Sequence, residues 1–111
     1  MLKKVAIYTR VSTHDQKTLS MQLEKCSAYA YSRGWSVTHK FQEVGSGAIQ
    51  RPKRADLLKM CRKREVDVVI VWKLDRWGRS TADIVSTLQE LQELGVEFVS
   101  ITEALDFTTA M

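Results

Sequence analysis

Four arginines and one serine carry the chemical interest of this chain. Arg10, Arg51, Arg76 and Arg79 fall in expected loops or at the ends of expected elements, and Ser12 stands two residues beyond Arg10. A guanidinium stays charged at any relevant pH and presents paired donors that match a phosphate. Several of them together would stabilise the extra negative charge of a pentacovalent phosphorus during displacement. One arginine alone is most simply a surface charge. Arg76 and Arg79, bracketing Trp77-Gly78 just after an apolar run and beside Asp75, with Arg10 after another, are harder to read that way. On extended backbone Arg10 and Ser12 leave the same face. The Ser12 hydroxyl is therefore a candidate nucleophile on phosphorus; its other reading is a turn or helix-capping serine.

Other chemistries find less support. His14 suggests a base for Ser12, but no third group is evident to orient it, and loop histidines are ordinary. Asp67 and Asp75 bracket one strand and would lie roughly 26 Å apart, too far to share a metal. Gly45-Ser46-Gly47 lacks the lysine and threonine that follow in a phosphate loop. No His/Cys spacing suits zinc. Neither a metal nor a cofactor site is expected.

The elements that must hold these residues alternate regularly. Val5-Ala6-Ile7-Tyr8 reads as a buried strand running into Thr9–Thr13. Leu19, Leu23, Cys26 and Ala30 recur at helical spacing, and Gly34 ends that helix. Trp35 to Phe41 reads as a second strand, followed by a loop from Glu43 to Arg51-Pro52. Pro52 suits a first helical turn, in a helix turning Leu57, Leu58 and Cys61 inward and Lys59, Arg62 and Lys63 outward. Val66 to Trp72 is a strand apolar on both faces apart from Asp67. Ser80 then caps a helix striped by Ile84, Leu88, Leu91 and Leu94 and ended by Gly95. Val96 to Ile101 is the last strand, and residues 102–111 carry no assignment. This β-α-β-α-β-α-β order predicts an α/β fold with a mostly parallel central sheet and helices on both faces. Ligands in such folds bind beyond the carboxyl ends of the strands, where Arg10/Ser12 and Asp75/Arg76/Arg79 fall.

A chain of 111 residues with 44% hydrophobic content suits one domain spanning 1–111. Its longest apolar run, Val68 to Trp72, is too short to span a bilayer. Lys3 and Lys4 precede no long apolar segment, so no secretory signal is read. Cys26 and Cys61 form no CxxC pair and are expected to be reduced, buried thiols in a cytoplasmic protein. The net charge of +4 is compatible with nucleic acid without demanding it.

Tyr8-Thr9-Arg10-Val11-Ser12-Thr13 and Trp72-Lys73-Leu74-Asp75-Arg76-Trp77-Gly78-Arg79-Ser80 resemble the two signature segments of the resolvase/invertase family of serine recombinases. Gln22, Ser46-Gly47 and Arg51-Pro52 fall between them in matching order, and the resemblance covers essentially the whole chain. It implies that Ser12 attacks the scissile phosphate of double-stranded DNA, giving a 5′-phosphoserine and a free 3′-hydroxyl. Arg10, Arg76 and Arg79 would hold the phosphate, Arg51 would approach from the loop, and Gln22 and Asp75 would orient the arginines and the serine. Tyr8 is read either with this group or as packing. Arg54 departs from the family, where that position is often apolar. Strand exchange and religation within a tetramer built from dimers, without ATP or an obligatory metal, would follow. The long dimerisation helix and DNA-binding domain of the family find no counterpart in these residues, which implies a catalytic domain cut from a longer protein. The competing reading is a non-catalytic relative that regulates DNA or an active partner.

Overall fold

The computed structural model describes residues 2–11, 16–45, 52–78, 80–103 and 105–106. β-Branched residues build the centre of a sheet. Strand β1 is Lys4–Val11 and β3 is Val68–Val71, the second buried at every position. β2 (Ser36–Val44) flanks β1 on one side; β4 (Glu97–Ser100) and β5 (Leu105–Asp106) follow β3 on the other, in the order β2-β1-β3-β4-β5. The first four strands in sequence run parallel and β5 pairs antiparallel to β4.

Alternation along the strands divides the core into two layers. Val5 and Ile7 of β1, with Val68, Ile70 and Val99, pack on Cys26 and Ala30 of helix α1 (Leu19–Ser32). Ala6 and Tyr8, with Val69, Val71 and Phe98, pack on Leu57, Leu58 and Cys61 of α2 (Pro52–Arg62) and Leu91 of α4 (Thr81–Glu93). Helices therefore cover both faces, as the sequence predicts. Both cysteines are free and buried. No helix among the described residues is long and apolar enough to cross a membrane.

Helix ends follow local chemistry. Gly34 and Gly95, both at φ 75°, turn the chain out of α1 and α4, a left-handed conformation that costs glycine little. Ser80 caps α4 by accepting the Asp83 N–H at 3.1 Å.

Three boundaries differ from expectation. β2 continues past Phe41 to Val44, because its register on β1 persists through Arg10↔Glu43 and Val11↔Val44. β3 is shorter than Val66–Trp72; at its amino edge Asp67 donates its N–H to Lys4 O at 2.8 Å and its Oδ2 accepts the Lys4 N–H at 2.8 Å. The segment after β3 is not irregular throughout, for Leu74–Trp77 makes one helical turn, α3.

Candidate active site

The order β2-β1-β3-β4 sends the chain outward in opposite directions from β1 and β3. The crevice beyond the carboxyl ends of those two neighbours is the topological switch point, where open α/β sheets bind ligands. Arg10 stands at the end of β1, and Asp75 and Arg76 in α3 just beyond β3.

Arg10 is only 6% exposed and joins the two loops through backbone carbonyls. Its Nη1 donates to Gly45 O at 2.7 Å, its Nε to Arg76 O at 3.3 Å and its Nη2 to Asp75 O at 3.3 Å. Three of its five N–H groups are thus committed to the chain segments after β2 and β3. A charged donor buried among carbonyl oxygens gains strong bonds that offset its desolvation. The Asp75 carboxylate is largely exposed and lies 4.0 Å from Arg76 Nε, at the limit of an ion pair. It is the carbonyl of Asp75, rather than its carboxylate, that contacts Arg10.

Gln22 is buried on the sheet side of α1, in line with Cys26 and Ala30. Its Nε2 donates to Thr18 Oγ1 at 3.2 Å, and its Oε1 is buried with no hydrogen-bond partner among the described residues. Among the described residues its hydrogen bond goes to the start of its own helix. Ser12, Arg51 and Arg79, with His14 and Ser46-Gly47, lie outside the described residues.

Tyr8 is fully buried, edge-on to Trp77 with ring centroids 5.5 Å apart. Its hydroxyl donates to Glu43 Oε1 at 2.5 Å, and Glu43 Oε2 accepts the Lys53 N–H at 3.1 Å. Glu43 is buried itself and meets the first turn of α2, where a carboxylate is favoured by the unpaired N–H groups. Sequence reasoning missed Glu43 by ending β2 early; its pairing with Arg10 is visible only in three dimensions.

Glu103 was missed as well, in a stretch that carried no assignment. Its Oε1 accepts from the Ser100 hydroxyl and, at 3.3 Å, from the Leu74 N–H at the head of α3. Burial pushes its carboxyl up, but the bonds from Ser100, Leu74 and Thr102 outweigh that and hold it below the ordinary carboxylate value.

Comparison with known proteins bears on the family and the fold. Residues 5–111 match the family described as "Resolvase, N terminal domain". The chain is 36% identical over 105 residues to a Tn917 transposon resolvase of Enterococcus faecalis, covering 94% of this chain and 52% of that protein. It is 37% identical to the DNA-invertase hin of Salmonella typhimurium, covering 94% of this chain and 50% of that one. Its fold is similar to the N-terminal catalytic domain of TP901-1 integrase, with a TM-score of 0.87 at 36% identity over 98% of this chain and 85% of that one. A resolvase family site-specific recombinase from Streptococcus pneumoniae gives 0.86 at 28% identity over 96% and 77%. The chain spans about half the length of the curated relatives it matches. With a resolvase-like fold around an arginine-bearing switch point, and a family match running through nearly all of its residues, the chain belongs to the resolvase N-terminal domain family of serine recombinases.

Proposed function

We propose that this chain is the DNA-cleaving domain of a longer site-specific recombinase, with Ser12 as nucleophile. The observation that carries the proposal is Arg10: a guanidinium fixed at the switch point, between the segments that lead to Arg51 and to Arg79. Of its two proposed partners in function, Arg76 lies in α3 and Arg79 follows it by three residues in the sequence. Together they provide positive charge where a displaced phosphate would gather negative charge.

In the proposed step, Ser12 Oγ forms a bond to the scissile phosphorus, and its proton leaves with the transfer. The bond from phosphorus to the 3′ oxygen breaks, and that oxygen departs as a 3′-hydroxyl. The 5′ end stays on the protein as a phosphoserine. Rejoining reverses the step: a 3′-hydroxyl attacks the phosphoserine and Ser12 is released. One phosphoester is exchanged for another, so strand exchange needs no ATP. Double-stranded DNA is the substrate, and pairing of four such serines at one crossover calls for dimers and a tetramer of the longer protein. Arg51 would close on the phosphate from the loop before α2, with Gln22 and Asp75 supporting the site.

The test is a denaturing gel of the full protein with a labelled duplex carrying its crossover site. Wild-type protein should trap as a covalent adduct on the 5′ side of the break. Ser12→Ala should bind the site and give no adduct; an adduct from that variant would remove Ser12 from the role.

A further inference from the structure

Arg54 faces inward from α2, at 8% exposure, on the stripe that continues through Leu57, Leu58 and Cys61. It meets the first turn of α4 through two parallel bonds, Nη1 to Asp83 Oδ2 at 2.6 Å and Nη2 to Asp83 Oδ1 at 2.9 Å. The same Nη1 donates to the Trp77 carbonyl at 3.0 Å, and the guanidinium carbon lies 5.3 Å from the centre of the Trp77 ring. Trp77 is held at its other end as well: its Nε1 donates to Thr87 Oγ1 of α4 at 2.8 Å. One side chain therefore ties three segments together, namely the first turn of α2, the end of α3 and the start of α4.

These are the segments that bear the arginines of the cleavage site. Arg51 precedes Arg54 by three residues, Arg76 and Arg79 flank Trp77-Gly78, and Asp83 opens the helix that follows. A buried ion pair contributes little stability over an apolar pair of the same volume, because desolvation consumes its Coulomb attraction. What it supplies is direction: a planar fork fits one carboxylate and one carbonyl in one geometry only.

We propose that Arg54 is a positioning residue of the cleavage site, fixing the end of α3, which bears Arg76, relative to the first turns of α2 and α4. The proposal rests on the cleavage reading above, and the test separates the two. In the full protein, Arg54→Leu, Arg54→Lys, Asp83→Asn and the double variant Arg54→Leu/Asp83→Leu are compared with wild type. Three quantities are read: the single-turnover rate of adduct formation at saturating DNA, the half-saturating DNA concentration, and the melting temperature.

The single variants should lose about tenfold or more in rate with half-saturation nearly unchanged, as expected when geometry at the reacting phosphate is lost and binding is kept. The double leucine variant should recover the melting temperature and not the rate. Recovery of both, or a fall of less than about tenfold in Arg54→Lys, would make the pair a packing feature and overturn the proposal. Should the leucine variants fail to fold, Arg54→Lys and Asp83→Asn decide by the same criterion. Absence of a Ser12-dependent adduct in wild type would instead overturn the cleavage reading on which the proposal stands.

Discussion

At the scale of single residues, Arg10 and Arg76 differ in how far the protein encloses them. Arg10 commits three N–H groups to carbonyls, whereas the Arg76 side chain retains a quarter of its surface in solvent. Arg76→Lys leaves the carbonyl that Arg10 uses in place, so its effect isolates the guanidinium. Arg76→Lys and Arg79→Lys should each slow strand cleavage about a hundredfold, because lysine keeps the charge and loses the planar pair of donors. Single-turnover cleavage kinetics check this; near-normal rates would reduce that arginine to a distant electrostatic contributor. The place of Arg10 at the end of β1 and of Arg76 just beyond β3 was legible in the sequence, because polar residues stand out against apolar runs. Arg54 was not. It sits at helical spacing with Leu57, Leu58 and Cys61, but its charge argues for the outward face. Asp83 and the Trp77 carbonyl, both distant in sequence, make the inward position tolerable.

At the scale of elements, the close seat of the α3–α4 junction depends on one glycine. A Cβ at Gly78 would lie 2.1 Å from Ile84 Cγ1 and 3.3 Å from Ile84 Cβ. Ile84 packs at the margin of the Trp77 and Phe98 layer, so it can move aside only by giving up that packing. Gly78→Ala should destabilise the fold by about 3 kcal/mol, in the range of overpacked cores, and lower the melting temperature by roughly 10 °C. Gly78→Ala/Ile84→Ala should be more stable than Gly78→Ala alone, which thermal melts followed by circular dichroism would show; a double variant no better than the single would place the strain elsewhere. The order of strands and helices was legible because period 2 and period 3.6 alternate cleanly along the chain. The end of β2, the single turn of α3 and the short β5 were not. The first two are held by partners far along the chain, β1 beside β2 and Glu103 at the head of α3, and β5 is only two residues paired to nearby β4.

At the scale of the whole molecule, each face of the sheet contains one thiol. Cys26 lies in the α1 layer and Cys61 in the α2/α4 layer. Burial pushes Cys26 from 9.0 to about 12. Burial likewise pushes Cys61 to about 12, with the Glu90 carboxylate adding to the rise and Arg62 opposing it. A thiol raised in the folded state stays protonated there while its unfolded counterpart ionises. The unfolded state then binds fewer protons than the folded one, and stability falls as pH rises. Below about pH 9 neither form is ionised and the two thiols add no pH dependence. Between about 9 and 12 each should remove up to ~1.4 kcal/mol of stability per pH unit. Cys26→Ala and Cys61→Ala should each reduce that alkaline slope by its share, and urea titrations from pH 8 to about 10.5 would measure it. The sheet is common to both layers, so opening one without the other would strip the strands of half their cover. At neutral pH both thiols should therefore react with a disulfide reagent at one shared, slow rate set by global opening. A Cys26 rate far above that of Cys61 would show instead that α1 opens on its own, leaving the arginine-bearing layer of the sheet intact.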